Sequence, residues 1–243
     1  MLILVFDTST RNGTTGWLQI DDSGAAPAIV DFAHVHMPAI PGHAERLLER
    51  IDFCLKSGGY TPDDVDLIVV GQGPGTFTGL RIGFSTAKSL SLVHGIPMIT
   101  VSTLEILACN ARLPGMVIAL IDARRKELYA GLFELSFDAG LPVARPVGPE
   151  VVVRPENVAA LLSQRDVLDT VQLVGDGALK YAEQLQTIGR PAHPASAEFS
   201  TWIAGLHGYQ RFKTHGPVNT AAVEPEYLRE PDARKPRIPF GAN

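Results

Sequence analysis

The sequence predicts an α/β protein of two like lobes, each a mixed sheet flanked by helices, and three observations lead there. An apolar strand ending in aspartate opens the chain, Leu2 to Asp7, and the same pattern restarts the second half at Val117 to Asp122. Each aspartate is followed nine positions later by a glycine that opens an apolar stretch, Gly16-Trp-Leu18 and Gly131-Leu-Phe133. Two strand, turn, strand units at equal spacing read as a duplication. The third observation is the run Gly73-Pro-Gly-Thr-Phe-Thr-Gly-Leu-Arg-Ile-Gly83, which follows the apolar strand Leu67 to Val70 and hands the chain into a helix.

The elements follow in order. Residues 2 to 6, 14 to 20 and 28 to 36 are expected as strands, with Arg11-Asn-Gly13 turning between the first two. A helix from about His43 to Ser57 carries Ala44, Leu47, Leu48, Ile51 and Cys54 on one stripe, while Glu45, Arg46, Glu49, Arg50 and Lys56 fall largely off it. Gly58-Gly59 ends it. Beyond Gly79, Leu80, Phe84, Ala87, Leu90 and, at its end, Val93 recur at helical spacing as far as Gly95-Ile-Pro97. A strand near Met98 to Val101 and a helix from about Thr103 complete a first lobe, residues 1–104. The second lobe, residues 105–243, continues past its aspartate strand and hairpin partner with a strand near Val151 to Arg154 and a helix from Pro155 to Ser163. A strand at Val171 to Val174, the turn Gly175-Asp-Gly177, a helix to about Gln186 and a long helix over Ala195 to Gln210 follow. From Gly216 onward recurring prolines and mixed charges describe an extended tail.

Composition narrows the function. With 243 residues, 45% of them hydrophobic, the chain can build two compact cores. Its net charge of -5 and pI near 5.8 argue against this chain by itself wrapping a phosphate backbone. Cys54 and Cys109 are the only cysteines and make neither a disulfide framework nor a metal cluster. The start of the chain enters a strand directly, without a basic leader or a stretch of membrane length, so a cytoplasmic protein with no membrane contact is expected.

The chemistry of the glycine run leaves two readings open. Gly71, Gly73 and Gly75 allow backbone angles or close approaches that a Cβ would block, and a strand, glycine turn, helix order can hold an anion on free N–H groups. The lysine and hydroxyl of a Walker loop are missing, however, and Thr78 stands where the third glycine of a dinucleotide fingerprint belongs. Asp7-Thr8-Ser9 is likewise double: it could position a metal-bridged phosphate, or Asp7 could cap the hairpin turn by accepting backbone N–H bonds. Asp122, with Arg124 and Arg125 close by, reads as an interlobe or partner ion pair rather than an acid-base pair. His34 and His36 sit at strand spacing on one face and read as solvated histidines rather than ligands.

Two such lobes resemble the actin-like, RNase H-like superfamily of actin, sugar kinases and heat-shock ATPases, in which the aspartates face a cleft between lobes. More closely, Asp7-Thr-Ser9, the run Gly73 to Gly83 with Gly75 and Thr76, Asp122-Ala-Arg124 before Glu127-Leu-Tyr129, and Glu226-Tyr-Leu-Arg229 together resemble the TsaB (YeaZ) family over nearly the whole chain. Thr76 replaces a usual serine, Lys126 a frequent glycine, and the segment from Asp21 to Pro41 looks longer than typical.

The resemblance implies a non-catalytic subunit that activates a TsaD-like catalytic subunit in making threonylcarbamoyladenosine in tRNA. A TsaE-like ATPase belongs to the same assembly, and tRNA is reached indirectly through it. It implies no cofactor and no metal in this chain, with ATP and metal on the partner subunits. The catalytic relative binds its metal through two histidines four apart, whereas here His43 is followed at that spacing by Leu47. Partner contact is expected on the two helices of the first lobe, through His43, Leu47, Ile51, Leu55, Gly79, Ile82, Gly83 and Leu92, with a homodimer through the same helices in isolation. Phe53 lies off the main stripe and could add to that outward surface. A stand-alone ATPase, small-molecule kinase or glycoprotease of the same superfamily is the alternative.

Overall fold

The computed structural model describes residues 1–10, 13–24, 27–36, 46–162, 171–189 and 197–229. Five strands form the first sheet: β1 (Leu2–Asp7), β2 (Thr14–Asp21), β3 (Ala28–His36), β4 (Leu67–Gly73) and β5 (Met98–Ser102), in the order β3-β2-β1-β4-β5. The first three run antiparallel, and β4 and β5 join parallel to β1. The second sheet has β6 (Gly115–Arg124), β7 (Glu127–Asp138), β8 (Leu141–Pro146), β9 (Val151–Val153) and β10 (Gln172–Val174), in the order β10-β6-β7-β8 with β9 also on β7. Read from its other edge, β8-β7-β6-β10, it repeats β3-β2-β1-β4, with the same antiparallel hairpin and the same parallel return strand. The strand β8 has no counterpart in the elements read from the sequence. The glycine match proves off by one: Gly16 lies opposite Val5, two before Asp7, but Gly131 lies opposite Ala119, three before Asp122, because the second hairpin shifts register between Asp122 and Arg124.

Side chains of a strand alternate faces, and this assigns the layers. Leu2, Leu4 and Phe6 point to an outer core completed by α1 (Leu47–Ser57) and α2 (Phe77–His94). Met116, Ile118 and Leu120 point to the outer core of the second sheet, covered by a 3-10 helix over Pro155–Leu162, α4 (Asp176–Lys180) and α5 (Ala182–Leu185). The opposite sets, Ile3 and Val5 with Val117, Ala119 and Ile121, share one central core with α3 (Thr103–Ala108) and α6 (Thr201–His215). Residue 104 falls between the strands of the two sheets, yet α6 packs across β1, β2 and β5, so this late helix covers the first sheet.

Boundaries shift where the sequence offered weak stops. The helix expected over Ala195 to Gln210 runs over Thr201–His215, and Gly175 precedes α4 rather than forming a separate turn. The first helix begins at Leu47 among the described residues; Arg11, Ala44 and Glu45 lie outside them.

A buried polar knot joins α6 to α3 and β8. His207 Nε2 lies 2.9 Å from the Pro142 carbonyl and Nδ1 lies 3.4 Å from Glu105 Oε1. Two acceptors, one at each ring nitrogen, require both to carry protons. Burial alone would lower the His207 pKa, but Cys109, Glu105 and Pro142 outweigh it and hold the ring charged above its ordinary range. Arg211 Nη2 donates to Glu105 Oε2 at 2.6 Å and Nη1 to the Thr100 carbonyl at 3.0 Å. Glu105→Gln leaves this buried imidazolium without its counter-charge and is expected to cost roughly 3 kcal/mol in urea unfolding at neutral pH; an unchanged midpoint would show that the knot adds nothing.

Candidate functional site

Asp7 ends β1 fully buried, and its carboxylate is occupied by neighbours in its own chain. Ser9 donates to Oδ1 from its backbone N at 2.8 Å and its Oγ at 2.6 Å, and Thr103 Oγ1 donates to Oδ2 at 2.7 Å. Burial raises the Asp7 carboxyl above its ordinary pKa, against the pull of the Ser9 and Thr103 hydrogen bonds. Thr8 Oγ1 donates to the Gly79 carbonyl at 2.7 Å, and the Thr76 N–H to the Ser9 carbonyl at 2.7 Å. The glycines make this possible. A Cβ on Gly71 would stand 1.8 Å from Asp7 Oδ2, on Gly75 2.3 Å from the Ser9 carbonyl, and on Gly79 1.9 Å from the Thr8 carbonyl. Gly73 is needed for its backbone, at φ +103. The run is packed against residues 7 to 9, and the contacts of Asp7 fit the hairpin-cap reading.

The second hairpin repeats the device with different partners. As Ser9 N caps Asp7, the Arg124 N–H donates to Asp122 Oδ1 at 3.0 Å. Where an interlobe or partner ion pair was expected, Asp122 meets Lys180 of α4, whose Nζ lies 2.7 Å from Asp122 Oδ2. It is a contact within one sheet layer. Asp176 Oδ1 accepts the Asp122 N–H at 3.0 Å, and burial raises its pKa. Arg124, Arg125 and Lys126 turn with φ of 61, 52 and 61, which explains why a glycine would be at ease at position 126.

Between the sheets lies a group that sequence reasoning missed. Ser102 Oγ donates to Glu150 Oε1, while Glu150 Oε2 is buried without a hydrogen-bond partner among the described residues. Burial, with Glu226 and Glu105 nearby, raises the Glu150 pKa to about 7 despite the Ser102 bond. No local pattern marks Glu150, since its partner lies 48 positions away. The motif Glu226-Tyr-Leu-Arg229 straps across the same region: the Glu226 N–H donates to the Gln72 carbonyl at 2.9 Å, Tyr227 packs on Phe77, and Arg229 Nη1 donates to Glu127 Oε2 at 3.0 Å.

The residues expected to meet a partner divide. Leu47, Ile51 and Leu55 are buried in the protein's own core, because the apolar stripe of α1 faces β2 and β3. Gly79 and Gly83 face Thr8. Ile82 is half-buried against that core, and His43 lies outside the described residues. Leu92 is 84% exposed, and the outward apolar set is completed by Phe53 at 66% and by Leu48 and Val93, both of which the helical stripes had placed inward. Cys54 is buried, its thiol pushed up to about 11 by desolvation. No helix among the described residues is long and apolar enough to cross a membrane.

Fold and site together define a duplicated two-sheet protein whose first aspartate loop is closed by its own glycine run. The family model described as TsaD, tRNA N6-adenosine threonylcarbamoyltransferase, matches residues 37–190. The chain resembles the tRNA threonylcarbamoyladenosine biosynthesis protein TsaB of Bacillus subtilis, 34% identical over 55% of this chain and 56% of that protein. An uncharacterized protein of Mycobacterium tuberculosis is 30% identical over 96% of this chain and 93% of its own length. The solved structure of YeaZ from Pseudomonas aeruginosa superposes with a TM-score of 0.73 at 28% identity, covering 93% of this chain and all of that one. The chain belongs to the TsaB/YeaZ branch of the TsaD family, with the actin-like fold of two mixed sheets flanked by helices. It spans about half the length of the relatives named TsaB.

Two expectations follow. Gly79→Ala forces a methyl into the Thr8 carbonyl and should cost roughly 3 kcal/mol of stability, as overpacking against rigid backbone does; a cost below about 1 kcal/mol would mean that α2 can lift away. Glu150, with a folded pKa of about 7 against an ordinary 4.5, holds a proton in the folded state that the unfolded state releases, so stability falls as pH rises between those values. Glu150→Gln removes that loss: it should stabilise the protein by roughly 3 kcal/mol at pH 8 and by less than about 1 kcal/mol at pH 5. Equal effects at both pH values would refute the assignment.

Proposed function

We propose that this chain is a non-catalytic accessory subunit in the synthesis of threonylcarbamoyladenosine in tRNA. It docks on a TsaD-like catalytic subunit through the outward face of α1 and α2, and a TsaE-like ATPase and tRNA engage the assembled complex. In the absence of the catalytic subunit the same face pairs two copies of this chain. The single observation that carries this reading is the apolar set Leu48, Phe53, Leu92 and Val93, exposed on two neighbouring helices. Large apolar side chains left exposed on adjoining helices mark an interaction surface. Along α2 the exposed positions Ser85 and Ser89 keep side chains short, so a partner helix can approach closely. The packing of Asp7, Thr8 and Ser9 against the glycine run supports a structural rather than catalytic duty for that loop.

The residues do the work of a scaffold. The glycine run seats α2 on the end of β1, and the buried stripe of α1 fixes its outer face beside α2. Leu92→Asp or Phe53→Asp places an unpaired charge where the interface would close, which costs roughly 3 to 5 kcal/mol when buried. Either substitution should abolish co-purification with a TsaD-like subunit and shift the isolated chain to monomer in sedimentation, with an unchanged circular dichroism spectrum. Retention of both associations by both variants would place the interface elsewhere. ATP turnover by the isolated chain above buffer controls would favour the stand-alone enzyme instead.

A further inference from the structure

We infer that His34, His36 and Glu198 form a binding site for a divalent transition metal, zinc by preference, that clamps the edge strand β3 to the start of α6. One ring nitrogen of each histidine and a carboxylate oxygen of Glu198 all lie within 4.8 Å of one another. His34 and His36 are two apart on β3, so both rings project from the same face of the strand. Glu198 comes from the segment just before α6, 162 positions beyond His36, which is why the sequence alone reads the histidines as solvated.

Three further observations favour an ion over a chance cluster. His36 Nδ1 is buried without a hydrogen-bond partner among the described residues. It stands 3.8 Å from Glu198 Oε1, beyond hydrogen-bond reach. Two ligands of a tetrahedral zinc, each about 2.0–2.1 Å from the ion, are about 3.3 Å apart, so the observed gap needs only a small inward adjustment. Thr201 Oγ1 lies 2.9 Å from His34 Nδ1 and fixes that ring, in the manner of an outer-shell partner. Thr201 can reach that position because Gly16, paired with His34, has no side chain: a Cβ there would stand 2.6 Å from Thr201 Oγ1.

Two imidazoles and one carboxylate match the ligand preferences of zinc and leave a fourth position for water or for a ligand from another molecule. β3 is the outer strand of its sheet, with one edge unpaired among the described residues. An ion tying it to α6 would hold that edge in place. The site shares no residue with the Asp7 loop or with the outward face of α1 and α2, so it stands independently of the proposed function.

Chelator-treated full-length protein titrated with Zn2+ by calorimetry should bind about one equivalent with micromolar or tighter affinity. His36→Ala and Glu198→Gln should each weaken that affinity at least tenfold. The Co2+-substituted wild type should show visible d–d absorption that both variants lose. Circular dichroism separates loss of ligand from loss of fold; if His36→Ala unfolds, Glu198→Gln, which keeps the side chain's size, decides. No saturable binding by the wild type, or undiminished binding by a folded variant, overturns the site.

Discussion

Burying the carboxylate of Asp7 sets terms that the first lobe must meet. A carboxylate removed from water needs hydrogen bonds to replace hydration, and its donors include Ser9, two residues on, and Thr103, at the start of α3. Bringing α3 and the end of β1 together in this way leaves no room beside them for side chains on β4 or on the first turns of α2. Glycine at 71, 75, 79 and 83 is the consequence, each approaching residues 7 to 9 more closely than a Cβ allows. The position of α2, and with it the face it turns outward, therefore depends on one buried charge at a hairpin.

The duplication shows how one topology tolerates two solutions. Both hairpins cap an aspartate with the N–H two residues later, and both receive a parallel strand on the same side. In the first lobe the carboxylate is dry and held by hydroxyls. In the second it meets an ammonium, Lys180, whose pKa is raised chiefly by the hydrogen bond to Asp122. The register shift at Asp122 and the left-handed backbone at 124 to 126 accompany that change, and the second sheet places Asp176 where the first places its glycine run.

The lobes are joined by more than a hinge. The inward faces of β1 and β6 share their core with α3 and α6, and α6 carries the charged knot of His207, Glu105 and Arg211 between them. The strap at 226 to 229 adds contacts to Gln72 on one side and Glu127 on the other. Relative motion of the sheets would have to break a buried ion pair and expose a common apolar layer, so the structure resists it.

The sequence by itself determined whatever rests on local spacing. Alternating and helical periodicities placed most of β1 to β7, α1 and α2, because a buried face imposes its period on the chain directly. The recurrence of an apolar strand and aspartate announced the duplication, and the glycine run announced a close approach, though not what approaches. Tertiary structure decided the remainder, for one physical reason: burial is a property of partners distant in the chain. Leu55 turned inward and Leu48 outward because α1 lays the side that carries Leu47, Ile51, Cys54 and Leu55 on β2 and β3. Glu150 acquired its raised pKa from burial, with Glu226 and Glu105 adding to it against the Ser102 hydrogen bond, and none of these three residues is its neighbour in sequence. β8 escaped notice because Pro142 and Pro146 bound a short edge strand with little apolar alternation. His34 and His36 gained a carboxylate only when the chain returned to the first sheet as α6, a packing no window around residue 35 contains.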